Sequence, residues 1–416
     1  MNAKKNIYIV AASLVVLLLI AAGVWFFFFR SSAPTQTNNQ ASSFGSPANN
    51  TSGGVGNTSL PNGTQTVINN PGQAAQQKIF QISSAPVVGA TLIQTLHPTT
   101  TLARYIRQED GHVFDLPLDV PGAVPRVVSN VTIPGGMRAV WVEGGNAVMQ
   151  YLDGNTVKSV YLGFPTSTST DASVTLPTKI RFLPDAIVDV AASPDGTSIA
   201  YMLKTSSGVD GYIAKADGTG SKKTFVLPLS QVLLSWPSPG NLLVQTKSAA
   251  GVPGMLFSVE IKSGSVTPLV YGAGITATAD RAFSKVVYQL VPDTGLRSSY
   301  AHDVKTGADR ALSFDPYPEK CAWSPSAISI AFCATPLAYV PLNYLDLWHV
   351  GAASVADALF SFNVATGQTT IVATPGGADG GVQSDMLEIA VSLDGHYLSF
   401  TNKGSRTLWG VRLGSQ

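Results

Sequence analysis

The 416-residue chain has few charged residues, only two cysteines and almost no net charge. Charged residues make up 12% of it, about half of the roughly 25% usual in soluble domains. Its 26 Lys and Arg balance 25 Asp and Glu, which excludes a nucleic-acid-binding protein that depends on overall positive charge, because no excess is available to release counterions. Two Cys exclude a small disulfide-stapled scaffold, and 39 Gly are far too few for a collagen-like repeat.

Catalytic and cofactor-binding motifs are also missing. The sequence has no Gly-x-Ser-x-Gly, no His-Glu-x-x-His and no Cys-x-x-Cys. Residues 218–224, Gly-Thr-Gly-Ser-Lys-Lys-Thr, resemble a phosphate-binding loop but have the wrong spacing, and we predict a β-turn there. The five His are scattered along the chain. We therefore expect no enzyme activity, no cofactor and no metal site.

Residues 7–29 form 23 consecutive uncharged residues, enough to cross a hydrocarbon core of about 30 Å as a helix. Fifteen of them are Leu, Ile, Val or Phe, which favours membrane insertion. A cleaved signal peptide, the alternative, needs a shorter apolar core followed by a small-x-small site, whereas the small residues 21–23 precede Val, Trp and four Phe. We predict an uncleaved signal-anchor helix embedded in the lipid bilayer.

The charges beside this helix predict its orientation. Lys4 and Lys5 precede it and only Arg30 follows it, so the positive-inside rule leaves residues 1–6 in the cytoplasm. We predict a single-pass protein of the cell membrane, with the rest of the chain extracytoplasmic.

Residues 30–77 differ in composition from both of their flanks. After Arg30 they contain no ionisable side chain and are rich in Asn, Ser, Thr, Gly, Gln and Pro. Such a stretch cannot bury enough apolar surface to offset its ordering entropy. We predict a disordered polar linker.

One short pattern returns six times in the remaining 339 residues: a turn cluster, then alternating β-forming residues that mostly end in an aromatic. The copies begin at Gly136, Gly196, Gly240, Phe283, Ala327 and Gly395. Successive starts lie 60, 44, 43, 44 and 68 residues apart. A period near 44 is typical of β-propellers, because one four-stranded blade takes about 40–50 residues.

A second repeat supports the first. Gly220, Gly264, Gly307 and Gly367 each follow an Asp, Glu or Asn closely and lie between two strand-like runs. Glycine supplies the positive φ that a tight hairpin needs, and the acidic or Asn side chain caps the turn.

The two ends of the repeat region predict the number of blades. Residues 101–107 and 112–116 are two further predicted strands, and the last copy offers only one more, at 406–413. Because a propeller commonly closes by adding an N-terminal strand to its last blade, we predict that residues 78–82 complete that blade. The expected fold is an all-β propeller of seven four-stranded antiparallel blades over residues 78–416, with six blades as the fallback.

Three turns carry a family resemblance. Ser193-Pro-Asp-Gly196, Trp323-Ser-Pro325 and Ser392-Leu-Asp-Gly395 each precede a strand that ends in an aromatic residue, and they resemble the repeat of TolB-type (PD40, WD40-like) propellers. The resemblance implies the fold over about residues 78–416 and no particular partner. The layout of anchor, spacer and propeller also resembles uncharacterised membrane proteins of candidate-phylum bacteria.

The two cysteines lie close to one turn. Cys321 precedes the turn at 324–327 and Cys333 ends the strand after it, so the two occupy nearly opposed positions on adjacent antiparallel strands. A disulfide is one interpretation, and an extracytoplasmic location permits it. Two buried thiols that act as small hydrophobic side chains are the other.

Departures from the 44-residue period place long loops at about 163–186, 336–355 and 374–385. With strands running outward in each blade, the first and third loops connect blades, and the second connects the second and third strands. Both classes of connection open on the same face. We therefore predict that all three loops crowd one rim of the propeller.

The middle loop is unusually apolar for a surface segment. One interpretation is a short helix that packs on the blade. The other is a partner-binding patch built on Tyr344, Trp348 and His349, because aromatic anchors dominate interface energetics. To that patch the first loop would add a cationic, aromatic edge made of Lys179, Arg181 and Phe182.

Three functional hypotheses follow. The first is a non-enzymatic, membrane-tethered propeller that binds a protein or a cell-envelope polymer outside the cytoplasm, with no nucleic-acid partner. The second is a propeller enzyme, a glycan-active hydrolase or lyase with carboxylates in the axial funnel, and the third is a bare structural spacer. Clustered funnel carboxylates favour the enzyme, and an apolar or aromatic rim favours the binding module.

Overall fold

The computed structural model of the protein describes residues 77–96, 99–164, 178–342 and 344–414. The strands in these stretches form seven sheets of four antiparallel strands each, which confirms the predicted all-β propeller and its seven blades. A search of the same stretches for a helix long and apolar enough to span a bilayer finds none. The predicted anchor at 7–29 and, apart from Gln77, the predicted linker at 30–77 lie outside the described residues.

Blades 1 to 6 each take four strands that are consecutive along the chain. Blades 1 and 2 comprise β2 (Val87–Leu96), β3 (Thr99–Arg107), β4 (Val113–Pro117), β5 (Arg126–Ser129), β6 (Gly136–Val142), β7 (Asn146–Asp153), β8 (Thr156–Gly163) and β9 (Lys179–Phe182). Blades 3 and 4 comprise β10 (Ile187–Ala192), β11 (Ser198–Thr205), β12 (Gly208–Lys215), β13 (Lys222–Leu227), β14 (Val232–Ser238), β15 (Asn241–Thr246), β16 (Pro253–Glu260) and β17 (Val266–Ala273). Blades 5 and 6 comprise β18 (Thr276–Ala279), β19 (Lys285–Leu290), β20 (Ser298–Asp303), β21 (Asp309–Ala311), β22 (Cys321–Trp323), β23 (Ile330–Pro336), β24 (Asp357–Asn363) and β25 (Thr369–Ala373).

Blade 7 joins the two ends of the described chain. It comprises β26 (Met386–Val391), β27 (Tyr397–Asn402), β28 (Leu408–Arg412) and, as its outer strand, β1 (Ile79–Ser83). Ile79 pairs with Val411, and the side chain of Ile79 is fully buried. The predicted closure by an N-terminal strand is confirmed.

The first strands lie at the propeller axis, because the first strands of neighbouring blades contact one another at five of the seven junctions. Arg138 of β6 pairs with Asp189 of β10. A second oxygen of Asp189 accepts a hydrogen bond from the Leu234 amide of β14 at 2.7 Å. One buried carboxylate therefore joins the first strands of three successive blades.

Successive strands of a blade run in opposite directions, so the connections between them emerge alternately on two faces of the propeller. We call the face that carries the connections between blades and between second and third strands the upper face. The lower face carries the connections between first and second strands and between third and fourth strands.

The hydrophobic core lies between the blades. Within the described residues, seven buried clusters each draw on two neighbouring blades, one cluster at every junction of the ring. A single blade has no partner for its two apolar faces, so its stability depends on both neighbours.

The turn motif that carries the family resemblance forms a side-chain-capped turn on the lower face. Ser193 donates from Oγ to Asp195 at 2.6 Å and accepts the Ser198 amide at 3.0 Å, and Gly196 has a φ of 72°. Gly196 cannot be replaced without strain, because an added Cβ would lie 2.4 Å from the backbone nitrogen of Glu143 in blade 2. The motif therefore both ends a strand and sets the spacing between two blades.

One predicted repeat copy is wrong and the hairpin glycines are confirmed. Gly136 begins a first strand, β6, whereas the other five copies coincide with second strands. The second strand of blade 2 is β7, so the first long interval of 60 residues combines this offset with the long stretch between β8 and β9. The four predicted hairpin glycines have φ between 65° and 81° and lie between the third and fourth strands of blades 3 to 6.

Replacing Ile79 by Ala tests the closure. We expect a loss of about 2–5 kcal/mol in the free energy of unfolding, because the change leaves a cavity in the cluster between blades 6 and 7. Denaturant titration of the purified protein measures it. Leu393→Ala, at an exposed apolar position of the same blade, is the control and changes stability by less than about 0.5 kcal/mol. Equal effects of the two changes would contradict the closure.

Candidate functional site

Two of the three long connections meet on the upper face as predicted. Residues 337–356 connect the second and third strands of blade 6, and residues 374–385 connect blades 6 and 7. They contact each other, because the Trp348 indole Nε1 donates to both carboxylate oxygens of Asp385, at 2.9 and 3.1 Å.

The prediction for the first long connection is wrong. Residues 179–182 are β9, the fourth strand of blade 2, so they follow a third strand, and the end of β8 and the start of β9 lie on the lower face. Residues 165–177 of the predicted loop lie outside the described residues. Lys179 pairs with Asp217 at 3.2 Å, and Phe182 is exposed on the same outer strand as Arg181. These three residues therefore lie on the outside of blade 2, three blades from the loop at 336–355.

The middle loop contains a short helix, α1 (Tyr344–His349), that packs on the propeller, as one of the two interpretations predicted. Tyr344, Leu345 and Trp348 are buried, and Tyr344 and Trp348 share a cluster with Tyr317. His349 is exposed and its Nε2 lies 2.8 Å from the Glu319 carboxylate. Tyr344 and Trp348 thus hold the helix in place and do not form an exposed patch.

Beneath α1 lies a buried ion cluster, which we define as Lys320, Asp357 and Asp385. Lys320 is 1% exposed, and its Nζ donates to Asp357 at 2.8 Å and to Asp385 at 2.6 Å. Asp357 also accepts the Met386 amide at 2.8 Å. The three residues come from blade 6 and the start of blade 7, so the cluster joins these blades where α1 sits.

Asp385 connects the ion cluster to the middle loop. Besides Lys320 and Trp348, it accepts the Ser354 hydroxyl at 3.0 Å and the Val355 amide at 3.3 Å. From blade 7, the Lys403 ammonium lies 4.2 Å from the centre of the Trp348 ring and donates to the Trp348 and Ala353 carbonyls. Since a buried charge is tolerated only when it is paired and hydrogen-bonded, these contacts fix the loop in one position.

Burial changes the proton affinities around the cluster. It raises the pKa of Asp357 to about 6, because desolvation of the carboxylate outweighs the attraction of Lys320 and the hydrogen bonds. Burial also raises the pKa of Tyr317 and of Tyr344, so both phenols stay neutral. It lowers the pKa of Lys403.

The part of the middle loop outside α1 exposes apolar side chains to solvent. Together with two neighbouring connections they form a surface that we call the apolar rim. Its members are between 48% and 85% exposed and comprise Val252, Leu296, Leu337, Tyr339, Leu342 and Val350.

The apolar rim is continuous over the upper face of blades 4, 5 and 6. Asp346 of α1 accepts the Ala250 amide of the blade 4 connection at 2.9 Å. Gly295 of the blade 5 connection packs against Leu342, where an added Cβ would lie 2.5 Å from the Leu342 Cβ. The sequence points to this segment, but the prediction named the buried Tyr344 and Trp348 with the exposed His349 and missed the rim residues, because exposure within a short aromatic-rich segment has no sequence period.

The two cysteines lie directly below the ion cluster. Cys321 and Cys333 are paired residues of β22 and β23, with Cα atoms 4.1 Å apart and sulfur atoms 2.11 Å apart in a disulfide. The predicted register of the two strands is confirmed. The bridge links the first two strands of blade 6 next to Lys320.

Two carboxylates on the innermost strands are each paired with an arginine. Asp189 of blade 3 pairs with Arg138, and Glu388 of blade 7 lies 3.2 Å from Arg406. In the portion of the chain that the structure describes, no group of three or more His, Cys, Asp or Glu is arranged to hold a metal ion.

The chain matches no protein-family model and no curated protein. Among solved structures it is similar to an oligogalacturonate lyase in complex with manganese, with 11% identity, a TM-score of 0.51, and coverage of 82% of this chain and 92% of that one. It is also similar to oligogalacturonate lyase from Vibrio parahaemolyticus, with 11% identity, a TM-score of 0.51, and coverage of 81% of this chain and 94% of that one. For TolB from Acinetobacter baumannii the identity is 10% and the TM-score 0.40, with coverage of 78% of this chain and 63% of that one. Likeness at such identity shows the propeller fold alone.

Asp357→Asn tests the proton affinity of the ion cluster. The folded pKa of about 6 lies above the ordinary value of 3.8, so wild-type stability falls as pH rises from about 4 to 6. The variant lacks this titration and should gain on the order of 2 kcal/mol relative to wild type between pH 4 and pH 7. Urea unfolding at both pH values measures the change.

The control for this titration is Asp210→Asn, which removes an exposed ion pair with Lys223. Its effect on stability should stay within about 1 kcal/mol at both pH values. A stability difference between wild type and Asp357→Asn that does not change with pH, or that changes in the opposite direction, would count against the raised pKa.

Proposed function

We propose that the protein is a non-enzymatic binding module, tethered to the cell membrane, that docks a partner protein outside the cytoplasm through the apolar rim. The observation that carries the proposal is the rim itself: six large apolar side chains exposed together on the connections of three consecutive blades. Exposed apolar patches of this kind mark interaction sites in soluble domains.

The chemistry of the rim favours a protein partner over an envelope polymer. Residues 321–345, which include half of the rim, contain no charged side chain. A polysaccharide presents hydroxyl groups that would lose their hydrogen bonds against such a surface. The matching partner surface is apolar and weakly charged, and its binding depends little on ionic strength.

The contacts that hold the rim in place support the same function. The buried ion cluster, the Trp348–Asp385 hydrogen bonds and the Asp346–Ala250 hydrogen bond hold the middle loop to blades 4, 6 and 7. A loop that is already ordered loses less conformational entropy when a partner binds. The rim is thus ordered before a partner binds.

The location rests on the sequence and on the cysteine pair. The apolar run at 7–29, with Lys4 and Lys5 before it, supports an anchor whose N-terminus is cytoplasmic. The disulfide between Cys321 and Cys333 is compatible with an oxidising compartment.

A glycan-active hydrolase or lyase is the second candidate, and Glu388 is the observation that favours it. This residue of the axial strand β26 has a φ of 52°, and strained backbone of this kind is concentrated at functional sites. Loss of a measured glycan-cleaving activity in Glu388→Gln would favour the enzyme over the binding module.

Site-specific photo-crosslinking in native membranes tests the docking surface. With a photoreactive residue at position 339 or 350 we expect adducts to the same protein, and with one at the exposed lower-face position 393 we expect none. Purified, that protein should bind the Tyr339→Ser/Val350→Ser variant at least tenfold more weakly than wild type, a loss of about 1.4 kcal/mol.

The same experiment separates the other occupants of the rim. Adducts to lipid would place the rim on the bilayer, and adducts to a second copy would make it a self-association surface. Either outcome, or equal labelling at positions 339 and 393, overturns the proposed partner protein.

Thiol counting tests the location. Cells are quenched in acid and alkylated before reduction, and mass spectrometry of the purified protein should show Cys321 and Cys333 unlabelled, because an oxidising compartment preserves the bridge. Alkylation after reduction is the control and should label both residues. Two labelled thiols without reduction would argue against both the disulfide and the extracytoplasmic location.

A further inference from the structure

A cavity opens on the lower face where blade 7 meets blade 1. Its volume is about 660 Å³, within the range usual for small-molecule sites. A shallower depression of about 380 Å³ adjoins it and shares Asp119, Tyr397 and Arg412 with it. We call the two together the seam cleft.

The closure of the ring shapes one wall of the seam cleft. Phe80 of β1 pairs with Gly410 of β28, and an added Cβ at Gly410 would lie 2.5 Å from the Phe80 ring. The glycine therefore lets the ring lie against the strand backbone. Tyr397 of β27 stands edge-on to Phe80, with ring centres 6.4 Å apart and planes at 87°, so two aromatic rings face the cleft from blade 7.

The opposite wall is the connection between β4 and β5 of blade 1, residues 118–125. Asp119 in this connection accepts the Thr101 amide at 2.9 Å, and the Leu118 amide donates to the Thr101 carbonyl at 2.9 Å. Tyr397 donates its hydroxyl to the Leu118 carbonyl at 3.4 Å. The wall is thus held to blade 1 by its own hydrogen bonds and to blade 7 by the phenol.

The charges of the seam cleft are of both signs. Arg412 lies 4.2 Å above the Phe80 ring and donates to the Gln77 carbonyl, and Asp119 faces it from the other wall. At the mouth, Asp394 accepts hydrogen bonds from Ser392, Thr101, Gln94 and the His396 amide. A guanidinium among carboxylates disfavours a cationic ligand, and the carboxylates disfavour an anionic one.

We propose that the seam cleft binds a neutral saccharide. The Tyr397 ring, which lines both parts of the cleft, suits the C–H face of a sugar ring, while the Asp119 carboxylate accepts from sugar hydroxyls and the Arg412 guanidinium donates to them. A purely apolar ligand would displace water from both charged groups and leave their remaining hydrogen-bonding positions unfilled. The site lies on the face opposite the apolar rim and does not depend on the docking function proposed above.

Isothermal titration calorimetry on the full chain tests the site, in a detergent without a sugar headgroup. The probes are maltotriose, cellotriose and chitotriose, with a uronate trisaccharide and a proline-rich peptide as comparison ligands. We expect saturable binding of at least one neutral trisaccharide, at least tenfold weaker in Tyr397→Ala and in Asp119→Asn. Asp119→Asn retains an acceptor for the Thr101 amide and so preserves the fold.

Tyr339→Ser, on the apolar rim, is the matched control and should leave saccharide affinity unchanged. The proposal is overturned if no neutral trisaccharide binds up to about 10 mM, if the two cleft variants bind as wild type does, or if the uronate or the peptide binds more tightly. The two proposals fail separately: saccharide binding without a rim-dependent partner protein overturns only the docking function, and a rim-dependent partner without saccharide binding overturns only the saccharide site.

Discussion

Closure of the ring is the constraint on which the rest of the structure depends. Every blade buries its two faces against neighbours, so an open ring would expose two apolar sheet faces at once. The chain meets this requirement with β1, whose residue Ile79 is fully buried and whose amide is bound by the Asp379 carbonyl of the connection before blade 7. The same closure creates the seam cleft, since Phe80 can lie on β28 only where Gly410 leaves room.

The upper face shows how buried charge and exposed apolar surface depend on each other. Lys320, Asp357 and Asp385 are expensive to bury, yet they give the middle loop fixed contacts that an apolar contact alone would not specify. Tyr344 and Trp348 cover the charges and, with Val340 and Leu345, fill the space beneath the loop. Tyr339 and Val350 therefore face solvent in the same segment in which Tyr344 and Trp348 are buried.

Most of the fold could be predicted from the sequence because propeller signals are local and periodic. Hairpin glycines and strand alternation give seven blades, and a missing last strand points to closure by residues 78–82. The errors arise where a signal is local but ambiguous: Gly136 begins a first strand that looks like a second strand, and residues 179–182 form an outer strand after a long connection. The ion cluster could not be predicted, because Lys320, Asp357 and Asp385 are far apart in sequence and meet only in the folded ring.

Several of the chain's charged residues are buried as ion pairs and do not contribute to the surface charge. Among its few charged residues, Arg104 and Asp115 are buried against each other, and the ion cluster buries three more. The chain as a whole balances 26 Lys and Arg against 25 Asp and Glu, so it offers little net charge for long-range steering of a ligand. Recognition must then come from shape, apolar contact and short hydrogen bonds. Gln77, where the described chain enters the propeller, also lines the seam cleft, so the strand that closes the ring begins at this recognition surface.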